Sequence, residues 1–193
     1  MPLKLEDFKK LLVNPKEGIL TAVKRKNINE ALVILVLNSI LVSVALGVSS
    51  KNYTLVPGFL VAGIVGVLFS AFLLHLALNL IGGKGSYVDA LTSLTYSFFG
   101  VSLSFLIVSL VSTYSLYFSL VVGVILFLLY WTIGLAGMVR ALKESYKLDV
   151  ITVWITLSLV ILSVFLTVYA IAVYTIPSLP RSLLTSSVFP IYR

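Results

Sequence analysis

The chain has 193 residues, of which 60% are hydrophobic and 11% charged, and its formal net charge is +7. Soluble domains are usually about half apolar and about a quarter charged. Because several apolar runs exceed about 18 residues without a charge, the composition predicts an all-α, polytopic membrane protein and excludes an ordinary soluble domain. The absence of cysteine excludes disulfides, thiolate metal ligands and cysteine nucleophiles.

Residues 1–28 are predicted to form a cytoplasmic, amphipathic segment of short interfacial helices ahead of the membrane domain. Residues 3–13 place apolar side chains at helical spacing. Asn14-Pro15 then opens a second short helix, about 15–25, because Asn favours the N-cap and Pro the first helical position. This helix ends in Lys24-Arg25-Lys26, which is a candidate contact for anionic lipid headgroups. The alternative is a topology signal without a specific lipid.

Residues 29–174 are predicted to form five transmembrane helices. Their expected bounds are about 29–48, 56–81, 87–112, 116–138 and 150–174. Capping boxes are predicted at Asn27-x-x-Glu30 and Ser86-x-x-Asp89.

Three connecting or packing features accompany these spans. Residues 140–149 are predicted to be a charged loop, and residues 175–193 an extracytoplasmic tail in which three prolines exclude a long helix. Small residues recur every fourth position in the second span, at Ala62, Gly66 and Ser70, and this stripe is predicted to let a neighbouring helix approach closely.

The distribution of basic residues predicts the topology. The N-terminal segment, the turn after the second span and the loop after the fourth carry 11 of the 14 Lys and Arg residues; the other side carries Lys51, Arg181 and Arg193. The positive-inside rule therefore places the N-terminus in the cytoplasm and the C-terminus outside, in a cell membrane. Because topology accounts for the positive charge, we expect membrane lipids and no nucleic acid as partners.

His75, the only histidine, and Asn79 lie four residues apart on one face of the second span. Polar groups inside a membrane are costly and usually face the bundle interior or a water path. One interpretation is a proton or substrate path; the other is hydrogen bonding between helices. The middle of every predicted span lacks a carboxylate and a lone histidine does not make a metal site, so no enzyme, cofactor or metal is predicted.

The second and third spans are joined by Gly82-Gly83-Lys84-Gly85-Ser86-Tyr87. It is not a phosphate-binding loop, since Gly follows the lysine and no strand precedes it. The glycines are predicted to supply the positive φ angles that end one helix before the next begins. The alternative is an anion held by Lys84 and the amides at the start of the third span.

This turn, followed by a helix that opens Asp89-Ala90-Leu91, resembles the prokaryotic branch of the Yip domain family (Ypt/Rab GTPase-interacting proteins), in which a GGKGS-[YF] turn joins the second and third spans. The resemblance covers about residues 14–174 and implies a five-span helical bundle. Eukaryotic members bind Rab-type GTPases and partner Yip proteins, and carry a long N-terminal region with an Asp-Leu-Tyr-Gly-Pro-type motif. Here about 28 residues precede the first span and the motif is missing, so we expect fold and topology, not Rab-type GTPase binding, to carry over.

The sequence thus predicts a non-enzymatic integral membrane scaffold or adaptor of the Yip type. Its cytoplasmic face would bind partner proteins or anionic lipid, and the bundle would form a homo-oligomer or associate with other membrane proteins. The alternative is a permease or channel subunit that uses the polar face of His75 and Asn79.

Overall fold

The structure, a computed structural model, describes residues 9, 11 and 13–175, with side chains described through Thr167 and at Tyr169. From Pro15 onward these residues form six helices and no strand. The helices are α1 Pro15–Arg25, α2 Ile28–Ser50, α3 Val56–Leu80, α4 Tyr87–Ser112, α5 Leu116–Tyr146 and α6 Val150–Thr175, with a short 3-10 turn at Tyr53–Leu55. Most of the predicted helix over 3–13, and the tail beyond Thr175, lie outside the described residues.

Helices α2 to α6 are each long and apolar enough to cross a membrane. The prediction of an all-α, multi-pass membrane protein is therefore confirmed. Four of the five spans, α2, α3, α4 and α6, begin and end within two residues of the predicted bounds. Hydrocarbon offers no partner to backbone amides and carbonyls, so each apolar run must satisfy them within its own helix, which makes such bounds readable from sequence.

Helix α5 is the exception, because the predicted charged loop over 140–149 is wrong. The helix continues to Tyr146 and ends at Lys147, whose φ is 57°. Arg140 Nε lies 3.3 Å from Glu144 Oε1, so the charges pair along one helix face while apolar residues on the other stay buried. Only residues 147–149 connect α5 to α6. The pKa of the Asp149 carboxyl is lowered below its ordinary value by hydrogen bonds from Thr152, mainly from its side chain and also from its backbone amide.

The predicted helix caps hold only in part. Asn14 is the N-cap of α1 and proline follows it, but its side chain makes no cap hydrogen bond. Asn27 caps α2 by accepting from the Asn29 amide at 3.1 Å. Glu30 does not complete that capping box, because its carboxylate turns to Arg25 instead, at 3.4 Å. An ion pair from the preceding helix thus replaces the local bond.

Helix α4 is the centre of the bundle and is buried from Asp89 to Ser97. Helix α2 is joined to it by Asn38, whose Nδ2 donates to the Thr95 carbonyl at 2.7 Å. Helix α5 crosses it at Gly134, where a Cβ would lie 2.5 Å from the Ser97 carbonyl oxygen. The side-chain hydrogen bond holds α2 against α4, and the close backbone approach at Gly134 holds α5 against it.

The small-residue stripe in α3 does not form the predicted contact within this chain. Ala62 and Gly66 are exposed, and a Cβ at Gly66 would have no atom within 4 Å. The close approach falls one position later than Ala62, at Gly63, where a Cβ would lie 3.2 Å from Ser39 Oγ. The rotation of α3 is set by Leu74 and Leu78, which are fully buried in the main core.

One end of the bundle carries α1, the turn at residues 81–86 and the connection at residues 147–149. We call it the turn end. The opposite end carries residues 51–55 and 113–115, because the short connections make successive spans alternate in direction.

Candidate functional site

The glycines of the α3–α4 turn serve two different purposes. Gly82 has a φ of 93°, and its amide and that of Gly83 donate to the carbonyls of Asn79 and Leu78, which ends α3 as predicted. Gly83 and Gly85 do not have positive φ, so the predicted reason is wrong for them. A Cβ would lie 2.8 Å from the Tyr146 ring at Gly83 and 2.5 Å from it at Gly85. At Gly85 the ring alone excludes a side chain, whereas at Gly83 the Leu78 carbonyl oxygen, 2.6 Å from the Cβ position, excludes one as well.

The start of α4 is closed by the predicted capping box. Ser86 Oγ accepts from the Asp89 amide at 3.3 Å, and Asp89 Oδ2 accepts from the Ser86 amide at 2.8 Å and from its hydroxyl at 2.9 Å. Asp89 is 1% exposed, and its Oδ1 has no hydrogen-bond partner among the described residues. The carboxylate is therefore committed to holding the turn.

Tyr146 joins the turn to the polar pair on α3. Its hydroxyl donates to the Ser86 carbonyl at 2.9 Å and lies 2.8 Å from His75 Nδ1. Because the single hydroxyl proton goes to the carbonyl, His75 Nδ1 carries the proton of the second bond. Nε2 of the ring is then the acceptor for Asn79 Nδ2, at 3.1 Å. One directed chain of hydrogen bonds therefore links α3, α5 and the start of α4.

The basic cluster at the end of α1 is engaged with the bundle. Lys24 Nζ lies 3.7 Å from Glu144 Oε2 on α5, and Arg25 pairs with the buried Glu30 on α2. Lys26 is exposed and ends α1 with a φ of 51°. Two of the three candidate headgroup contacts thus have carboxylate partners within the chain.

The apolar side of α1 packs on the protein. Ile19, Ala22 and Val23 are at most 5% exposed and share a cluster with residues of α4 and α5. Gly137 makes room for them, since a Cβ there would lie 2.6 Å from Ile19 Cδ1. The bundle, rather than lipid, covers the amphipathic face of α1, and its polar face points outward at the turn end.

A family model of the Yip1 domain matches residues 9–172. The chain belongs to the Yip1 domain family. The matched residues include α1, all the spans through most of α6, and the glycine turn that carried the sequence resemblance. Comparison with curated proteins and with solved structures gives no match.

Within this Yip1 domain, Tyr146 is the site residue that sequence reasoning missed. It falls within the predicted charged loop, whereas the structure places it at the end of α5 and fully buried. A signal was present: Met138, Leu142 and Tyr146 recur every fourth residue, which continues the apolar face of α5 through the charged positions. The charges in between obscured that periodicity.

The polar face proposed for transport lies on the side of the Yip1 bundle. His75 is half-buried and Asn79 exposed, and they border an open depression of about 360 Å³ whose other lining residues are Phe72, Leu76 and Leu80. Both ring nitrogens of His75 have partners, and its ring makes edge contacts with Tyr87 and Tyr146 at 6.2 and 6.1 Å. This geometry matches hydrogen bonding between helices.

Proposed function

We propose that this Yip1 family protein is a non-enzymatic scaffold or adaptor of a cell membrane. Its turn end, which carries α1, faces the cytoplasm and binds partner proteins or anionic lipid, and the C-terminal segment lies outside. The observation that carries the proposal is the docked α1, which presents an ordered polar surface at the basic end of the bundle.

The surface offered to a partner is the outer side of α1, with Lys16, Thr21 and Lys26 exposed. Because the inner side is buried and two basic residues pair with the bundle, the helix is held in place before any partner arrives. A surface that is ordered in advance loses less entropy on binding than a free arm does. This supports protein recognition at α1.

The permease alternative has weaker support. A transport path needs a polar group free to exchange its partners, whereas His75 is bonded on both nitrogens to groups of the same chain. Its bond to Tyr146 joins α3 to α5, and Tyr146 in turn bonds to Ser86 at the start of α4.

The orientation is tested first, using the absence of native cysteine. Single cysteines are introduced in place of Lys84 and Lys51, which are exposed at opposite ends of the bundle. In intact cells we expect a membrane-impermeant maleimide to label the cysteine at position 51 and not the one at position 84. The cysteine at position 84 should be labelled once the membrane is opened. Labelling of position 84 in intact cells would contradict the proposed orientation.

Partner binding is tested by photo-crosslinking in the native membrane from Thr21 and Lys26, with Lys51 as the control position. We expect a discrete adduct from α1 that is absent at position 51. Gly137→Leu fills the space that Ile19 occupies and undocks α1 without changing its charge, so the adduct should disappear. An adduct that persists in this variant would show that the docked surface is not what the partner recognises.

A further inference from the structure

Lys84 and Lys147 are brought close together at the turn end by a backbone hydrogen bond. The Lys84 amide donates at 3.0 Å to the carbonyl of Tyr146, the residue before Lys147. Both lysines are exposed, and neither pairs with a carboxylate among the described residues. The nearby Asp149 accepts a hydrogen bond from the Thr152 amide at 3.1 Å. The other carboxylate of this corner, Asp89, is buried in the cap of α4, so the two exposed lysines face one exposed acidic group, Asp149.

An apolar groove runs between α3 and α6 below this corner. Its volume is about 370 Å³, within the range of about 300–1,000 Å³ typical of ligand pockets. Its walls include Leu76, Leu80, Ile81, Thr156, Leu159 and Ser163. The two hydroxyls turn back to carbonyls of their own helix, each at 2.8 Å, so the walls present hydrocarbon.

The length of the groove matches a lipid chain rather than a helix. Along α3 it extends from Ile81, next to the turn, to Leu73. Eight residues of helix rise about 12 Å. One leaflet contributes about half of the roughly 30 Å of bilayer hydrocarbon, whereas a partner helix would need a groove along the whole span. Leu80, 79% exposed, lies at the end nearest the lysines.

We propose that this groove binds one anionic phospholipid of the surrounding leaflet, with an acyl chain between α3 and α6 and the phosphate against Lys84 and Lys147. The inference rests on the proposed function and names the lipid class for the side of the turn end away from α1. Each lysine near a membrane surface strengthens binding of anionic lipid about fivefold.

The test is native mass spectrometry of the whole protein released from nanodiscs that contain equal amounts of phosphatidylglycerol and phosphatidylcholine. We expect one retained phosphatidylglycerol per protein. The double variant Lys84→Gln/Lys147→Gln should lower its affinity about thirtyfold. The matched control Lys51→Gln/Lys143→Gln removes two exposed charges that lie away from this corner and should retain the lipid.

The groove is tested separately. Ser163→Phe places a ring between the walls and should release the lipid although both lysines remain, whereas Ser163→Ala should retain it; thermal unfolding checks that both variants are folded. Equal retention of the two lipids, equal loss in the two lysine pairs, or displacement by free glycerol phosphate would overturn the proposal. None of these outcomes alters the photo-crosslinked adduct expected from Thr21 and Lys26 of α1. Failure of the lipid proposal is therefore distinguishable from failure of the proposed function.

Discussion

Replacement of Gly85 by alanine tests whether the Tyr146 ring dictates the sequence of the turn. The added Cβ would lie 2.5 Å from Cδ2 and Cε2 of that ring. The ring is fully buried, and its hydroxyl is bonded to both His75 and Ser86, so it has little freedom to move aside. Overpacking of this kind typically costs about 1–3 kcal/mol. We expect Gly85→Ala to lower the free energy of unfolding by about 2 kcal/mol.

Gly66→Ala is the matched control, because it adds the same methyl group at a position with no neighbouring atoms. Gly66 lies in α3, and a Cβ there would meet no atom within 4 Å. Gly→Ala in a helix interior is favourable by about 0.5–1 kcal/mol. The two variants should therefore differ in unfolding free energy by about 1.5–4 kcal/mol, with opposite signs relative to the parent protein.

The assay is reversible unfolding in detergent micelles titrated with dodecyl sulfate, followed by the fluorescence of Trp131 and Trp154. The decisive comparison repeats Gly85→Ala in a Tyr146→Leu background, where the ring is gone. There the alanine should cost less than about 0.5 kcal/mol, because coupling between contacting residues disappears with the contact. An equal cost in both backgrounds would refute the steric explanation.

Three further predictions use the same protein. Tyr146→Phe leaves the His75 and Ser86 groups unpaired and should lower the free energy of unfolding by about 1–3 kcal/mol; no loss in the same titration would mean that the hydrogen-bond chain is dispensable. Gly134→Ala brings a Cβ to 2.5 Å from a backbone oxygen of α4 and should cost about 1–3 kcal/mol, measured likewise; a neutral result would contradict the close crossing of α4 and α5. Asp149 has a lowered pKa, owing to hydrogen bonds from Thr152, so its stabilisation of α6 is complete above its ordinary pKa of 3.8 and fades as pH falls below that value. Amide hydrogen exchange in the first turn of α6 should thus be faster in Asp149→Ala than in the parent protein near neutral pH, and this difference in exchange rate should become smaller in acid. A difference in rate that does not depend on pH would argue against this cap.

The sequence alone determined the number of spans, most of their bounds and the capping box at Ser86. These features are local. An uncharged apolar run must become a helix in hydrocarbon, and a capping box joins residues three apart. The family also followed from a contiguous motif, the glycine turn that begins at Gly82.

Only the tertiary structure decided what those local elements contact. Tyr146 meets Ser86 across 60 residues of chain and His75 across 71, and no local pattern encodes such a pairing. The rotation of α3 turned Gly66 outward, and Gly137 allowed α1 to bury its apolar face on the bundle. An amphipathic helix has the same sequence pattern whether lipid or protein covers it, because both are apolar, so the choice between them depends on the shape of the surface that packing creates.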